Sequence, residues 1–202
     1  MAPTEALFPT LLYRAPLGAG TRGLLKDLAR AIRQLAADDV AGRRWCTANA
    51  YRGYTSYASL DDLAWRDPAF AELERRLDQH VRTFARTLAF DRGRALARDS
   101  LWVNLLKPGG AHGGHIHPGS AVSGTLYVEV PPGASAIRFE DPRLPLMMAA
   151  PAVRPTAPRA RQRFISVAPK AGDVLLWESW LRHEVPANGA KTERLSVSFN
   201  YR

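Results

Sequence analysis

The second half of the chain, from about residue 95, consists of short strand-like segments that follow one another without helices between them. Each segment is rich in β-branched and aromatic residues and is bounded by Gly, Pro or Asp, which is typical of strands. Clustered short strands without crossover helices favour an antiparallel sandwich or barrel over a parallel α/β sheet. The segments are SLWVNLL, SGTLYVEV, AIRFE, RFISVA, GDVLLWES and RLSVSFNYR.

The first half of the chain carries two helical patterns. Apolar residues recur at helical spacing over residues 21–39 and again over residues 68–89. Thr21 is the expected N-cap of the first helix, because its hydroxyl can accept a hydrogen bond from the first turn. Pro68 fits the first turn of the second helix, where its missing N–H costs nothing.

Three other segments have weaker patterns. LFPTLLY, residues 7–13, predicts a short strand, and Pro9 places that strand at a sheet edge because proline cannot donate to a ladder. Residues 41–60 contain turn-forming and aromatic residues without a clear period. The proline-rich stretch 142–163 predicts a long loop, and loops of that length are often functional.

A chain of 202 residues is long enough for one well-buried core. We therefore expect a single domain over residues 1–202. In this domain residues 1–95 form a helical support region and residues 96–202 form the β core. The expected fold class is α+β, mainly β with N-terminal helices.

The composition excludes several classes of protein. With 46% hydrophobic and 23% charged residues, the chain is expected to be globular rather than disordered. No window approaches eighteen apolar residues, so no transmembrane helix is predicted, and the first residues lack the pattern of a secretory signal. The single cysteine, Cys46, fits a reducing compartment and is expected to be a small buried apolar residue. We therefore expect a cytoplasmic protein.

Three of the five histidines lie within HGGHIHPGSAVSGTLYVEV, residues 112–130. His115 and His117 stand at i and i+2 where HIHP enters a predicted strand, so both imidazoles point to one face. Neutral imidazole suits iron, zinc, copper and nickel. His183 is the candidate third ligand, because it follows a strand-like segment. His112 is expected to be a loop histidine without a ligand role.

A second constellation closes the chain. Arg194 opens the last predicted strand, and Ser196 shares its face. A buried arginine beside a hydroxyl forms a fork that binds a carboxylate. Three imidazole ligands together with such a fork predict a metal site at which an organic acid chelates the metal. Each part also has an ordinary interpretation, since a His-x-His pair is often exposed and Arg194 could be a solvated strand residue.

The order of these segments resembles that of the Fe(II)/2-oxoglutarate-dependent oxygenases, and within them a small subgroup from bacteria and phages. The resemblance covers nearly the whole chain and implies a double-stranded β-helix, or jelly roll, for the core. It also implies Fe(II) as cofactor and 2-oxoglutarate as cosubstrate. The segments that carry it are LFPT, GYTS, LWVN, HIHPGSAVSGTLYVEVP, FEDPR, AGDVLLWESWLRHEVP and RLSVSFN.

The resemblance assigns roles to particular residues. His115 and His183 would be the two histidines of the iron triad, and His117 stands where most such oxygenases have an aspartate or glutamate. That departure removes one negative charge from the iron site. Arg194 with Ser196 would bind the distal carboxylate of 2-oxoglutarate. Two further residues, placed on neighbouring strands by the layout of the family, are candidates for additional contacts to it: Asn104 and Tyr127.

Two other functions remain open on the sequence. A cupin-like three-histidine metalloenzyme would use the same ligands without 2-oxoglutarate, although PGSAVSG lacks the glutamate that a cupin motif requires. A non-catalytic module that binds a metal or an anion would form no succinate under any conditions. A third arrangement, in which His117 is the first ligand as in halogenating oxygenases, would leave His115 without a role.

The substrate is not specified by any motif. A net charge of +9 mildly favours an anionic small molecule or macromolecule, and nucleic acid stays open as a partner although no helix carries a basic stripe. An exposed sheet edge would support a homodimer. The loop 142–163 and the GYTS segment, through Tyr54 and Ser56, are expected to form a lid and the substrate edge. The tryptophans expected to wall the pocket are Trp102, Trp177 and Trp180.

Overall fold

The computed structural model describes residues 3–91 and 95–202. Its helices are α1 (Thr21–Asp38), α2 (Val40–Ala48), α3 (Leu63–Arg66) and α4 (Pro68–Thr87). Its strands are β1 (Tyr13–Pro16), β2 (Gly53–Thr55), β3 (Arg98–Leu106), β4 (His112–His115), β5 (Val122–Glu129), β6 (Ile137–Glu140), β7 (Phe164–Val167), β8 (Asp173–Glu178), β9 (His183–Val185) and β10 (Arg194–Tyr201).

The strands form two antiparallel sheets. The major sheet has the order β1-β8-β5-β10-β3-β2, and the minor sheet has the order β4-β9-β6-β7. From β3 onward the strands alternate between the two sheets, with β3, β5, β8 and β10 in the major sheet. The minor sheet contains β4, β9 and the consecutive pair β6 and β7. This winding is a double-stranded β-helix, so the predicted fold class is confirmed.

The two faces of the major sheet have different partners. One face packs on α1 and α4 in an apolar cluster that includes Leu28, Phe70 and Val197. The opposite face meets the minor sheet through a smaller cluster that includes Tyr127 and Phe139. Since successive residues of a strand point to opposite faces, each strand of the major sheet serves both layers.

Both predicted helices are confirmed, with one correction at the first N-terminus. Gly20, not Thr21, is the N-cap of α1, with φ at 68°, a left-handed conformation that glycine adopts without strain. The Thr21 hydroxyl donates to the carbonyl oxygen of Gly18 instead. At α4 the expectation holds, because Pro68 lies in the first turn and the side chain of Asp67 caps it.

Residues 41–60 contain a helix that the sequence pattern does not predict. Helix α2 is nine residues long and buries only Gly42 and Cys46, so its apolar stripe is too short to show a period. The Asp39 side chain accepts a hydrogen bond from the Gly42 N–H and so caps it. Cys46 is buried, as predicted.

The predicted strand over residues 7–13 is wrong in its position. Strand β1 starts only at Tyr13, and Phe8 has a left-handed backbone with φ at 54° and an almost fully exposed side chain. The edge position is correct, since β1 pairs with β8 at the margin of the major sheet. The sequence therefore indicates the place of the strand in the sheet but not its residues.

The six strand segments predicted in the second half form β3, β5, β6, β7, β8 and β10, whereas β4 and β9 lie outside the predicted segments. The stretch 142–163 is a loop between β6 and β7 that contains two short 3₁₀ turns. In the described part of the chain, no helix has both the length and the apolar composition that crossing a bilayer requires.

The helical support can be tested at Phe70, which has no exposed surface and lies in the cluster between α4 and the major sheet. We predict that Phe70→Ala lowers the free energy of unfolding by about 3–5 kcal/mol, because it leaves a cavity in the core. Trp65→Ala is the control, since Trp65 is 94% exposed and should change stability by about 0.5 kcal/mol or less. Chemical denaturation measures both, and equal losses would contradict this packing.

Candidate metal centre

Three histidines converge between the two sheets. His115, His117 and His183 each offer one ring nitrogen, and these atoms all lie within 4.8 Å of one another. Their ring centroids are 4.4 Å apart for His115 and His183, and 5.2 Å apart for His117 and His183. In the described residues this is the one group of three or more metal-ligating side chains at such distances.

The pairing of β4 with β9 builds this cluster. His115 and His183 are direct partners across the two strands. His117 follows the end of β4, and its N–H donates to the carbonyl oxygen of Ser179 at 3.0 Å. The prediction that HIHP enters a strand is therefore wrong, because the strand ends at His115. The turn after β4 nevertheless brings His117 back to the same ion-sized space.

Backbone carbonyls orient two of the imidazoles. The Nδ1 atom of His115 lies 2.7 Å from the carbonyl oxygen of Gly113, and that of His183 lies 2.9 Å from the carbonyl oxygen of Leu181. A carbonyl oxygen only accepts, so each Nδ1 carries the proton. Each Nε2 then presents its lone pair to the cluster, as a metal-ligating histidine requires.

The surroundings keep two of the three imidazoles, those of His117 and His183, neutral. Burial lowers the pKa of His183 to about 3, although its hydrogen bond to the Leu181 carbonyl acts in the opposite direction. Burial, assisted by His115, lowers the pKa of His117 to about 4. At neutral pH both imidazoles are therefore unprotonated. A set of three neutral imidazoles fits Fe(II), so the residues present fit the cofactor.

The cluster opens into a cavity of about 460 Å³. Trp102 and Trp177 line this cavity, as predicted, whereas Trp180 is not among its described lining and is 47% exposed. The Trp177 ring lies 4.7 Å from the ring of His183. The indole rings therefore form an apolar wall beside the metal site.

Arg194 lies in the same cavity and is 2% exposed. Its Nη1 donates to the carbonyl oxygen of Ser135 at 3.0 Å, while its buried Nε has no hydrogen-bond partner. No ion pair joins Arg194 to an acidic side chain among the residues that the structure describes. Burial lowers the pKa of Arg194, yet a guanidinium stays protonated in proteins. A buried cation of this kind requires an anion.

The other predicted cosubstrate residues surround Ser196. In the sheet register Ser196 pairs with Asn104 on one side and with Tyr127 on the other. The expectation that Asn104 and Tyr127 lie on the strands next to that of Arg194 and Ser196 is therefore confirmed, because β10 lies between β3 and β5. All three residues line the cavity, and the Arg194 guanidinium lies 5.5 Å from the Tyr127 ring centre. Burial raises the pKa of Tyr127 to about 12, so its hydroxyl keeps its proton.

Asn104 lines this cavity and has one unsatisfied buried atom. Its amide nitrogen donates to the Ser198 hydroxyl at 3.1 Å, and its buried carbonyl oxygen has no partner. A hydroxyl can donate as well as accept, so rotation of the amide would present its N–H groups to an anion instead. Depending on the rotation of its amide, Asn104 can therefore either donate a hydrogen bond to a ligand in the cavity or accept one from it.

The segment GYTS contributes other residues than those predicted. Thr55 of this segment and Tyr57, which directly follows it, line the cavity, whereas Tyr54 and Ser56 are buried and do not line it. The Tyr54 hydroxyl donates to Asp39 at 2.8 Å. Alternation along β2 separates Thr55 from Tyr54, but this strand ends at Thr55 and so gives no signal for Tyr57. The loop 142–163 supplies no residue to the described lining, so the lid prediction has no support there.

His112 and Tyr51 complete the cavity wall. His112 begins β4, which corrects its predicted place in a loop, and it lies outside the three-histidine group, as predicted. Tyr51 lines the cavity from the helical half of the chain, and no sequence pattern indicates it.

The chain has recognisable sequence and fold relatives. Residues 100–200 match the family model described as "Putative 2OG-Fe(II) oxygenase". Among curated proteins no sequence matches the chain.

Three solved structures share the fold. The non-heme alpha ketoglutarate dependent epimerase SnoN from nogalamycin biosynthesis is 18% identical, with 95% of this chain and 76% of that chain covered and a TM-score of 0.62. A Pseudomonas putida prolyl-4-hydroxylase is also 18% identical, with coverage of 96% and 92% and a TM-score of 0.60. A Trichoplax adhaerens prolyl hydroxylase, in complex with a hypoxia inducible factor peptide fragment, is 15% identical, with coverage of 94% and 82% and a TM-score of 0.57.

The metal centre can be tested by substitution. We predict that His115→Ala and His183→Ala lower Fe(II) affinity by more than the roughly 10–100-fold typical of losing a hydrogen-bond partner of a metal ligand. His80→Gln is the control, because His80 lies on α4 and bonds the Tyr13 hydroxyl at 2.8 Å instead. Anaerobic calorimetric titration with Fe(II) measures all three. Wild-type affinity in either alanine variant would remove that histidine from the site.

Proposed function

The chain belongs to the 2OG-Fe(II) oxygenase family, and on that basis we propose that His115, His117 and His183 hold Fe(II) while Arg194 and Ser196 anchor 2-oxoglutarate. As a member of this family the protein is an Fe(II)- and 2-oxoglutarate-dependent dioxygenase. One observation carries the assignment of the site. A buried arginine without an acidic partner lies in the same cavity as three imidazoles whose ligand atoms are within 4.8 Å of one another.

Electrostatics support a dicarboxylate as the cosubstrate. The three proposed ligands are neutral imidazoles, so a bound Fe(II) would keep both positive charges, and Arg194 adds one more. 2-Oxoglutarate carries two negative charges, together with a 2-oxo acid group that chelates metals and a second carboxylate that suits a guanidinium. The 2-oxo acid end of the molecule therefore matches the three-histidine group, and its distal carboxylate matches Arg194.

The residues around Arg194 have separate tasks in this proposal. The Ser196 hydroxyl donates to the distal carboxylate beside the guanidinium. Tyr127 keeps its hydroxyl protonated and adds a second neutral donor, while Asn104 supplies its amide. Ser135 orients the guanidinium through its carbonyl oxygen, at 3.0 Å from Nη1. A fixed set of donors binds a carboxylate with a small loss of side-chain entropy.

When bound, the iron centre supplies activation of O2 coupled to oxidative decarboxylation of the cosubstrate to succinate and CO2. The residues of the chain position the reactants and exclude water. The Trp177 ring shields the His183 side of the cavity, and the Trp102 ring lies beside His117. His117 in place of a carboxylate ligand should weaken Fe(II) binding and raise the reduction potential of the site.

For the substrate that is oxidised together with 2-oxoglutarate, we infer a small molecule or a peptide that becomes hydroxylated. Solved structures of similar fold include an epimerase from nogalamycin biosynthesis and a prolyl hydroxylase with a bound peptide. In the described lining Arg194 is the only permanently charged side chain. An anionic group on the substrate, expected from the net charge of +9, would therefore bind outside the cavity.

The wider organisation remains part of the proposal. We infer one oxygenase domain over residues 1–202, in which residues 1–95 support the jelly-roll core, 96–202, because α1 and α4 share an apolar cluster with the major sheet. A cytoplasmic location, a homodimer and a nucleic-acid partner stay predictions from composition and fold.

The cosubstrate assignment predicts a specific effect of Arg194. Anaerobic addition of 2-oxoglutarate to the Fe(II) protein should produce a visible charge-transfer band, and Arg194→Lys should raise the dissociation constant about 10–100-fold. This range corresponds to the loss of hydrogen bonds to a charged group. Arg202→Lys is the control, because Arg202 follows the other end of β10 and its side chain is 69% exposed.

The same titration separates the alternative functions. A cupin-like enzyme without 2-oxoglutarate would bind Fe(II) but give no band, and its activity would be insensitive to Arg194. A module that binds a metal without catalysis would form no succinate under aerobic conditions. Either result would contradict the proposed function.

A further inference from the structure

A hydrogen-bonded pair lines the cavity without belonging to the metal cluster. The Tyr51 hydroxyl lies 3.0 Å from Nε2 of His112, and the two rings meet edge to face with their centroids 5.3 Å apart. Tyr51 lies between α2 and β2, before the part of the chain that matches the family model, which starts at residue 100. His112 is the first residue of β4.

The register of the major sheet places Tyr51 near Arg194. Gly53 pairs with Leu106, and Leu106 pairs with Arg194. Tyr51 precedes Gly53 by two residues, and its carbonyl oxygen accepts the Gly53 N–H at 2.9 Å. The Tyr51 side chain therefore enters the cavity at the same end of the sheet as the guanidinium.

The electrostatic surroundings agree with this placement. Burial raises the pKa of Tyr51 above its ordinary value, and the Arg194 charge opposes this rise. Burial and the Arg194 charge together lower the pKa of His112 to about 4. At neutral pH the pair consists of a protonated phenol and a neutral imidazole, and both groups lie in the field of the guanidinium.

The pair has two hydrogen-bonded arrangements. In one, the phenol donates its only proton to Nε2, so the phenol has no donor left for a ligand. In the other, Nε2 carries the proton and donates to the phenol oxygen, so the phenol O–H is free. An anion on Arg194 favours the second arrangement, because it accepts that O–H in a charge-assisted bond.

We propose that Tyr51 is a further binding residue for the carboxylate at Arg194, and that His112 is the positioning residue that directs the Tyr51 O–H toward it. This inference rests on the proposed function, because that carboxylate is the distal one of 2-oxoglutarate. The helical half of the chain thereby supplies a residue to the cosubstrate site, in addition to its support of the sheet.

The test compares two 2-oxo acids by anaerobic titration of the Fe(II) protein. 2-Oxoglutarate has the distal carboxylate, whereas pyruvate has only the chelating group. Tyr51→Phe removes one hydroxyl and should raise the dissociation constant of 2-oxoglutarate about tenfold, while that of pyruvate stays unchanged. A change that is equal for the two acids, or absent for both, would overturn the proposal.

Variants of His112 test the positioning role. His112→Phe removes the donor and should match Tyr51→Phe, and the double variant should be no weaker than either single one, because the two residues act as a unit. His112→Gln keeps an N–H near the Nε2 position and should bind 2-oxoglutarate as the wild type does. Additive losses, or a Gln variant as weak as the Phe variant, would overturn the role of His112.

Two further measurements separate causes of failure. Fe(II) affinity and the melting temperature should be unchanged in Tyr51→Phe and His112→Gln, which shows that the site and fold are intact. If wild-type protein gives no band with 2-oxoglutarate, the proposed function fails and this inference with it. A wild-type band that Tyr51→Phe leaves unaltered overturns the inference alone.

Discussion

The register of β10 between β3 and β5 is the constraint on which the rest of the structure depends. Leu195, Val197 and Phe199 point to the cluster shared with the helices, and none of them is exposed. Arg194 and Ser196 point to the cavity. A slip of one residue would turn the arginine into the apolar cluster and the leucine into the site. The apolar face of this strand therefore positions the proposed cosubstrate site on the other face.

The metal centre is built differently, from a short strand pair and a turn. Across β4 and β9 the direct pairing of His115 with His183 positions two of the proposed ligands, and the backbone bond from His117 to Ser179 positions the third. The central strands of the major sheet are long, whereas β4 and β9 have four and three residues. Short strands with a glycine-rich approach leave space for an ion and a chelating acid. A site for 2-oxoglutarate, O2 and a substrate needs both the rigid support that the major sheet provides and the open space beside the minor sheet.

The sequence predicts the layers and most of the site but not its local geometry. Period-two alternation identifies Arg194 and Ser196 on one face, and helical spacing identifies α1 and α4, because in both cases many residues share one pattern. The strand pair β4–β9 is too short to carry a period, so the sequence wrongly predicts that HIHP enters a strand, whereas β4 ends at His115. Tyr51 could not be found at all, since only tertiary pairing brings it to His112, 61 residues away.

A crystal structure of the complex with Fe(II) and 2-oxoglutarate, grown without oxygen, would test the central claim most directly. We predict density for an ion bound by Nε2 of His115 and His183 and by the His117 imidazole, with no carboxylate side chain among the ligands. The distal carboxylate of the acid should lie on Arg194 and Ser196. An aspartate or glutamate on the ion, or an acid bound away from Arg194, would contradict this account of the site.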